Sequence, residues 1–108
     1  MAVQLNTTNY PDLITGINTI LSSGQYRAVT MTIFNDAEGT TVSTDSNGNV
    51  LLNRAFSSTV SQAETVDADG NTVNGTVTIS FNDGLQFLST NNVDSYWYTL
   101  SGISILSR

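Results

Sequence analysis

The chain has 108 residues, three of them basic and nine acidic, for a net charge of −6, and it contains no cysteine, histidine or lysine. That length suits a single domain, residues 1–108, able to bury a core without cross-links or metal. Arg27, Arg54 and Arg108 are too few to neutralise a phosphate backbone or to hold an anionic lipid surface, so nucleic acid and membrane are both unexpected as partners.

At the start of the chain Val3 and Leu5 alternate with polar residues, the pattern of a short edge strand or of an arm reaching a neighbour. Met1-Ala2-Val3-Gln4-Leu5-Asn6 has neither a basic nor an apolar region of the kind a signal peptide needs, so none is expected. Leu13, Ile14, Ile17, Ile20 and Leu21 then fall on one helical stripe. Asn9 suits a cap, Pro11 the first turn, Asp12 the positive end of the dipole, and Gly24 the stop. The helix Pro11–Ser22 is short, and Gly16 weakens it, so packing on a sheet must hold it.

From Tyr26 the period changes to two. Val29, Met31 and Ile33 alternate with Thr30, Thr32 and Phe34, predicting a strand with apolar groups on both faces. Thr40–Asp45 and Val50–Asn53 read as a hairpin across Ser46-Asn47-Gly48, with Val42 opposite Leu52 and Thr44 opposite Val50. Phe56–Val66 reads as one long polar strand, and a two-residue turn at Asp69-Gly70 sets Val66 opposite Val73.

The strongest signal is Val73–Leu88. Val73, Gly75, Val77, Ile79 and Phe81 alternate up to Asn82-Asp83-Gly84, and Leu85 to Leu88 follow. A three-residue loop with Gly84 in the left-handed region pairs Phe81 with Leu85 and Ile79 with Phe87, giving one apolar face and one face of Thr78, Ser80 and Gln86. Asn91-Asn92 is a further turn, leading to a last strand. There Tyr96, Tyr98 and Leu100 share one parity and Ile103 and Ile105 the other, so a bulge at Gly102 would bring all five to one face and point Trp97 the other way. The expected fold is mainly β (α+β): an antiparallel β-sandwich or barrel of six to seven strands with one short N-terminal helix packed on it.

The missing residue types also limit chemistry. A serine nucleophile has no His or Lys beside it to act as base. Glu38 and Glu64, the only glutamates, lie in an ordinary turn and a polar strand, so no glycosidase pair and no catalytic residue is assigned; an enzyme is not expected. Without His or Cys the usual transition-metal ligands are gone, and no metal or cofactor is assigned. Asp45-Ser46-Asn47-Gly48-Asn49 and Asp67-Ala68-Asp69-Gly70-Asn71 look like the start of calcium loops. Their glycines come fourth rather than sixth, and Phe56 and Thr78 stand where a twelfth-position Glu belongs, so both read better as hairpin turns. Asn6-Thr7-Thr8 and Asn74-Gly75-Thr76 match the glycosylation pattern, which chance supplies readily in a chain so rich in Asn and Thr.

Tyr96-Trp97-Tyr98 allows two readings, a platform for a sugar or partner, or tyrosines closing the core with Trp97 on the other sheet face. Charged residues are only 11% of the chain against about 25% usually, so the surface is mostly uncharged and polar. This Thr/Asn/Ser-rich, Lys-free and Cys-free character, the hairpins Thr40–Asn53 and Val73–Leu88, and the helix Pro11–Ser22 resemble in general character the small capsid decoration or cement proteins of tailed phages. The resemblance implies a non-enzymatic virion structural protein, assembled in a host cytoplasm. It implies association with its own copies, as a trimer by preference, and binding to a major capsid protein or another virion component. Edge segments would make those contacts, and Val3, Leu5, Trp97, Ile103 and Ile105 are the candidate interface residues. A neck or tail adaptor is a related role. The alternative from another class is a carbohydrate-binding or adhesin module using Tyr96–Tyr98 and the Asp/Asn-rich turns, with or without calcium.

Overall fold

Residues 2–90 and 96–104 are described by the computed structural model. The helix α1 spans Tyr10–Ser22, and the strands are β1 Val3–Gln4, β2 Tyr26–Phe34, β3 Arg54–Gln62, β4 Thr65–Val66, β5 Thr72–Val73, β6 Thr76–Phe81, β7 Gln86–Thr90 and β8 Trp97–Ser104. Six of them form one antiparallel sheet in the order β1-β8-β2-β3-β6-β7, and β4 and β5 pair apart from it. The fold is therefore mainly β, an antiparallel sheet with one short helix on it, as the pattern of one helical stripe followed by period-two runs predicts.

Central position explains β2. Flanked by β8 and β3, it buries every residue from Val29 to Phe34. Its threonines pair locally: Thr30 Oγ1 donates to Ser101 O, and Thr32 Oγ1 to Asn53 Oδ1. On the inner face Met31, Ile33, Val77, Ile79, Phe81, Phe87 and Tyr98 join Leu13 of the helix and Leu51 in the core. The sheet curves over this core until its two edges meet. Leu5, just past β1, donates its amide to Tyr96 O at 2.7 Å and accepts from Ser89 Oγ of β7 at 2.6 Å. The Tyr96 ring stands edge-on to Phe87 with centroids 4.7 Å apart.

The β6–β7 hairpin follows its expected register. Ile79 faces Phe87, Phe81 N donates to Leu85 O at 2.8 Å, and Gly84 has φ 90°. The same three-residue loop recurs at Asp45–Asn49 and Asp67–Asn71. In each, the first residue's amide donates to the fifth residue's carbonyl, and the fourth, Gly48 or Gly70, takes a φ above 80°. Asp45 Oδ1 accepts the amides of Asn47 and Asn49, and Asp67 Oδ1 those of Asp69 and Asn71. The turn at Asp69-Gly70 is thus three residues long, not two, and Val66 faces Thr72 while Val73 faces Thr65.

Other expectations are corrected. The strand from Phe56 ends at Gln62 rather than running to Val66, and the run from Val73 divides at Asn74-Gly75, so β6 begins at Thr76. A Cβ on Gly75 would lie 2.7 Å from Thr7 Cγ2 and 3.0 Å from Gln62 O, because the segment entering the helix crosses there. Thr44 does bridge Val50, but Val42 bridges Phe34, and Leu51 is buried while Leu52 is 55% exposed. Leu51 and Ser43 both bond to Ile33, which turns this segment onto the end of β2 instead of leaving it a free hairpin.

No bulge occurs at Gly102. The extra residue is Arg27 in β2, so Ile103 stays on the Trp97 side of the sheet. Gly102 serves a different purpose: the Tyr26 ring lies on it, where a Cβ would collide. Asn9 sits at the helix start, yet its side chain donates to Gln4 O and caps nothing. A Cβ on Gly16 would come within 2.9 Å of Leu100, so this glycine lets the helix sit close on β8. The Asn91-Asn92 turn and Ile105 lie outside the described residues.

Candidate interaction surfaces

Among the described residues no three carboxylates gather closely enough to hold a metal ion. Glu38 and Glu64 are both exposed, the first in the turn after β2 and the second between β3 and β4. The carboxylates of the turns are engaged with backbone and with Arg54. This guanidinium joins Asp45 at 3.1 Å and also Asp83, and it lies 4.8 Å above the Phe81 ring. It thereby ties the 45–49 loop to the β6–β7 turn. Arg54 and then the Leu85 amide hold the Asp83 carboxyl below the usual carboxylate range. For Asp45 burial acts upward, but the Asn49 amide, Arg54 and the Asn47 amide together leave it lowered. Burial, reinforced by Asp12, pushes the Tyr98 phenol up to about 12.

The sequence-derived interface residues are dispersed. Leu5 is 2% exposed and belongs to the chain's own core, so it offers no surface to a partner. Val3 is 38% exposed and faces the helix side, in a shallow hollow beside Asp12, Gly16 and Leu100. Trp97 and Ile103 lie on the opposite face, half-buried, and their six-residue separation along β8 spans about 20 Å. Trp97 covers the sheet between Gln4 and Phe34. The outer face carries Thr76, Thr78, Ser80 and Gln86 as expected, but also Val60 and Leu88 on either side of Thr78, each more than half exposed.

Two stronger features stand out in the structure. The first is the hairpin of β4 and β5. Every residue from 62 to 73 is exposed, and Val66 and Val73 show 69% and 47% of their surface. It stands off the body as an arm, and the molecule is correspondingly long, 54 × 29 × 27 Å. The sequence signal was there in the interrupted alternation at Ala63-Glu64 and Asn74-Gly75.

The second is a groove where the sheet splits. β2 and β3 pair only through Thr30–Ala55 and Met31–Arg54, then diverge. Both strands carry an extra residue at the split, Arg27 in β2 and Ser57 in β3. The opening has a volume of about 360 Å³ and is lined by Ile14, Ile17, Leu21, Val29 and Phe56, with Arg27 at its side. The helical stripe is therefore only partly used: Leu13 is fully buried, while Ile14 and Leu21 remain 36% and 44% exposed. Along the split, among the described residues, no strand pairs with the edge of β3 that faces β2; the Tyr10 hydroxyl donates to Thr59 O at 3.2 Å there.

Among the described residues, no helix is long and apolar enough to cross a membrane. Compared with protein-family models, curated proteins and solved structures, the chain matches none of them.

Proposed function

We propose that this chain is a non-enzymatic virion structural protein of the capsid decoration or cement type, which associates with its own copies and seats between the subunits of a phage shell. The observation that carries the reading is the arm of residues 62–73, which spends its valines on solvent instead of on the core. Apolar groups held out on a two-stranded sheet gain nothing for the isolated chain and are suited to contact with another surface. The acidic, lysine-free surface supports the same reading, since a net charge of −6 keeps separate copies soluble until specific contacts form.

The test is co-sedimentation of the purified protein with assembled shells from the same source that lack it, beside its mass in solution. Saturable binding, at a fixed ratio to capsid subunits and lost when residues 64–72 are replaced by a short Gly/Ser turn, is the expected result. A protein that never sediments with shells ends the cement reading.

A further inference from the structure

We propose that the arm of one copy docks in the split-sheet groove of a second copy, along the edge of β3 that faces β2. This deepens the self-association half of the function proposed above and rests on it.

The two surfaces complement each other in three respects. Chemically, the groove is floored by Ile14, Ile17, Leu21 and Phe56, and the arm carries Val66 on one face and Val73 on the other, so either face brings one valine to it. In backbone terms, among the described residues the edge of β3 beyond Ala55 carries no strand on its β2 side, only the Tyr10 hydroxyl at Thr59 O, and the arm has strand edges of its own. An incoming strand can therefore add to this sheet by main-chain hydrogen bonds, with side chains reading the groove. Electrostatically, Arg27 at the groove is exposed and forms no ion pair among the described residues, whereas Arg54 is committed to Asp45 and Asp83. The arm carries Glu64, Asp67 and Asp69. In a chain this acidic, a free cation beside an apolar groove selects an acidic occupant, and the arm is an exposed element that carries both carboxylates and valines.

Docking within one molecule does not meet these needs. The arm leaves β3 at Gln62 and continues beyond Phe56–Thr59, where the groove opens, and every one of its residues from 62 to 73 is exposed. The contact joins two different patches, so it is either exchanged reciprocally in a two-fold dimer or passed head to tail, which closes into a ring when the rotation allows. A cyclic trimer is one such closure.

The experiment is a charge exchange read by sedimentation velocity across about 1–100 µM, a range that spans weak to moderate association. Arg27→Glu and Glu64→Arg are both exposed positions, and circular dichroism and melting verify that each variant folds. Each variant alone sets like charges against one another, and its apparent dissociation constant should rise about tenfold or more. An equimolar mixture restores association, because the arm of the Arg27→Glu chain meets an unaltered groove on its partner. A wild-type monomer throughout the range, or association indifferent to both changes, overturns the proposal. So does a mixture no better than the separate variants. Association that obeys the exchange but brings no shell binding would sink the virion reading and leave this one standing.

Discussion

Two hairpins follow one another in this chain, closed by the same kind of turn, and they meet opposite fates. In β6–β7 Val77, Ile79, Phe81 and Phe87 are all buried. In β4–β5 Val66 and Val73 are both exposed. Their three-residue loops match in hydrogen bonding and in glycine conformation, with φ of 90° at Gly84 and 81° at Gly70. Their aspartates stand at different places: Asp67 opens its loop and accepts the amides of Asp69 and Asn71, whereas Asp83 is third in its loop, accepts the Leu85 amide and is gripped by Arg54. Turn chemistry decides that a hairpin forms. Whether the hairpin belongs to the core is decided by what lies beneath it, and β6–β7 shares its core with Leu13, Met31 and Ile33 beside the closed corner at Leu5, Ser89 and Tyr96.

This contrast can be broken experimentally. The largest effect belongs to side-chain truncation. Ile79→Ala should lower unfolding free energy by about 2–5 kcal/mol, whereas Val66→Ala should change it by less than about 0.5 kcal/mol, both read by urea denaturation. Comparable losses at the two sites would mean that the arm folds as part of the core in solution.

The matched glycines give a sharper comparison. Forcing an alanine into the left-handed region costs about 1–2 kcal/mol. At Gly84 that cost should appear in global stability. At Gly70 it should appear only as faster amide exchange within residues 65–73, because a local element can open without unfolding the body. A global loss of similar size from Gly70→Ala would contradict this.

The smallest effect concerns the Arg54 clamp. Asp45 and Asp83 have depressed carboxyl pKa values in the folded state, so their contribution to stability is complete above the unfolded value near 4 and disappears as pH falls through the folded values. Arg54→Gln should therefore lower the melting temperature at pH 7 and flatten the decline below about pH 4. An unchanged acid limb would show that the clamp adds nothing to the stability of the β6–β7 turn.

The sequence expressed local structure well wherever local forces choose it. The period-two run from Thr76 to Phe81, the glycine that closes the turn at 84, and the helical stripe from Leu13 to Leu21 all took their predicted form. Errors gathered where a distant segment intervenes. The strand from Phe56 was expected to continue through Val66, but Gly75 and Thr7 come together at the foot of the arm and separate the two sheets. A bulge expected at Gly102 falls instead at Arg27, because the Tyr26 ring needs the space above that glycine. Leu5 resembled an exposed arm residue until Ser89 and Tyr96, more than eighty residues away, enclosed it.

Composition, turn positions and hydrophobic period thus determined a β-rich chain with one helix and an acidic composition without histidine, lysine or cysteine. These properties follow from residue chemistry and from steric preferences spanning a few neighbours. Only the tertiary structure decided which apolar residues the core would consume and which it would leave over. That choice depends on long-range closure of the sheet, which buries Leu5 and Leu51, parts β2 from β3, and leaves Leu21, Val66 and Val73 turned toward solvent.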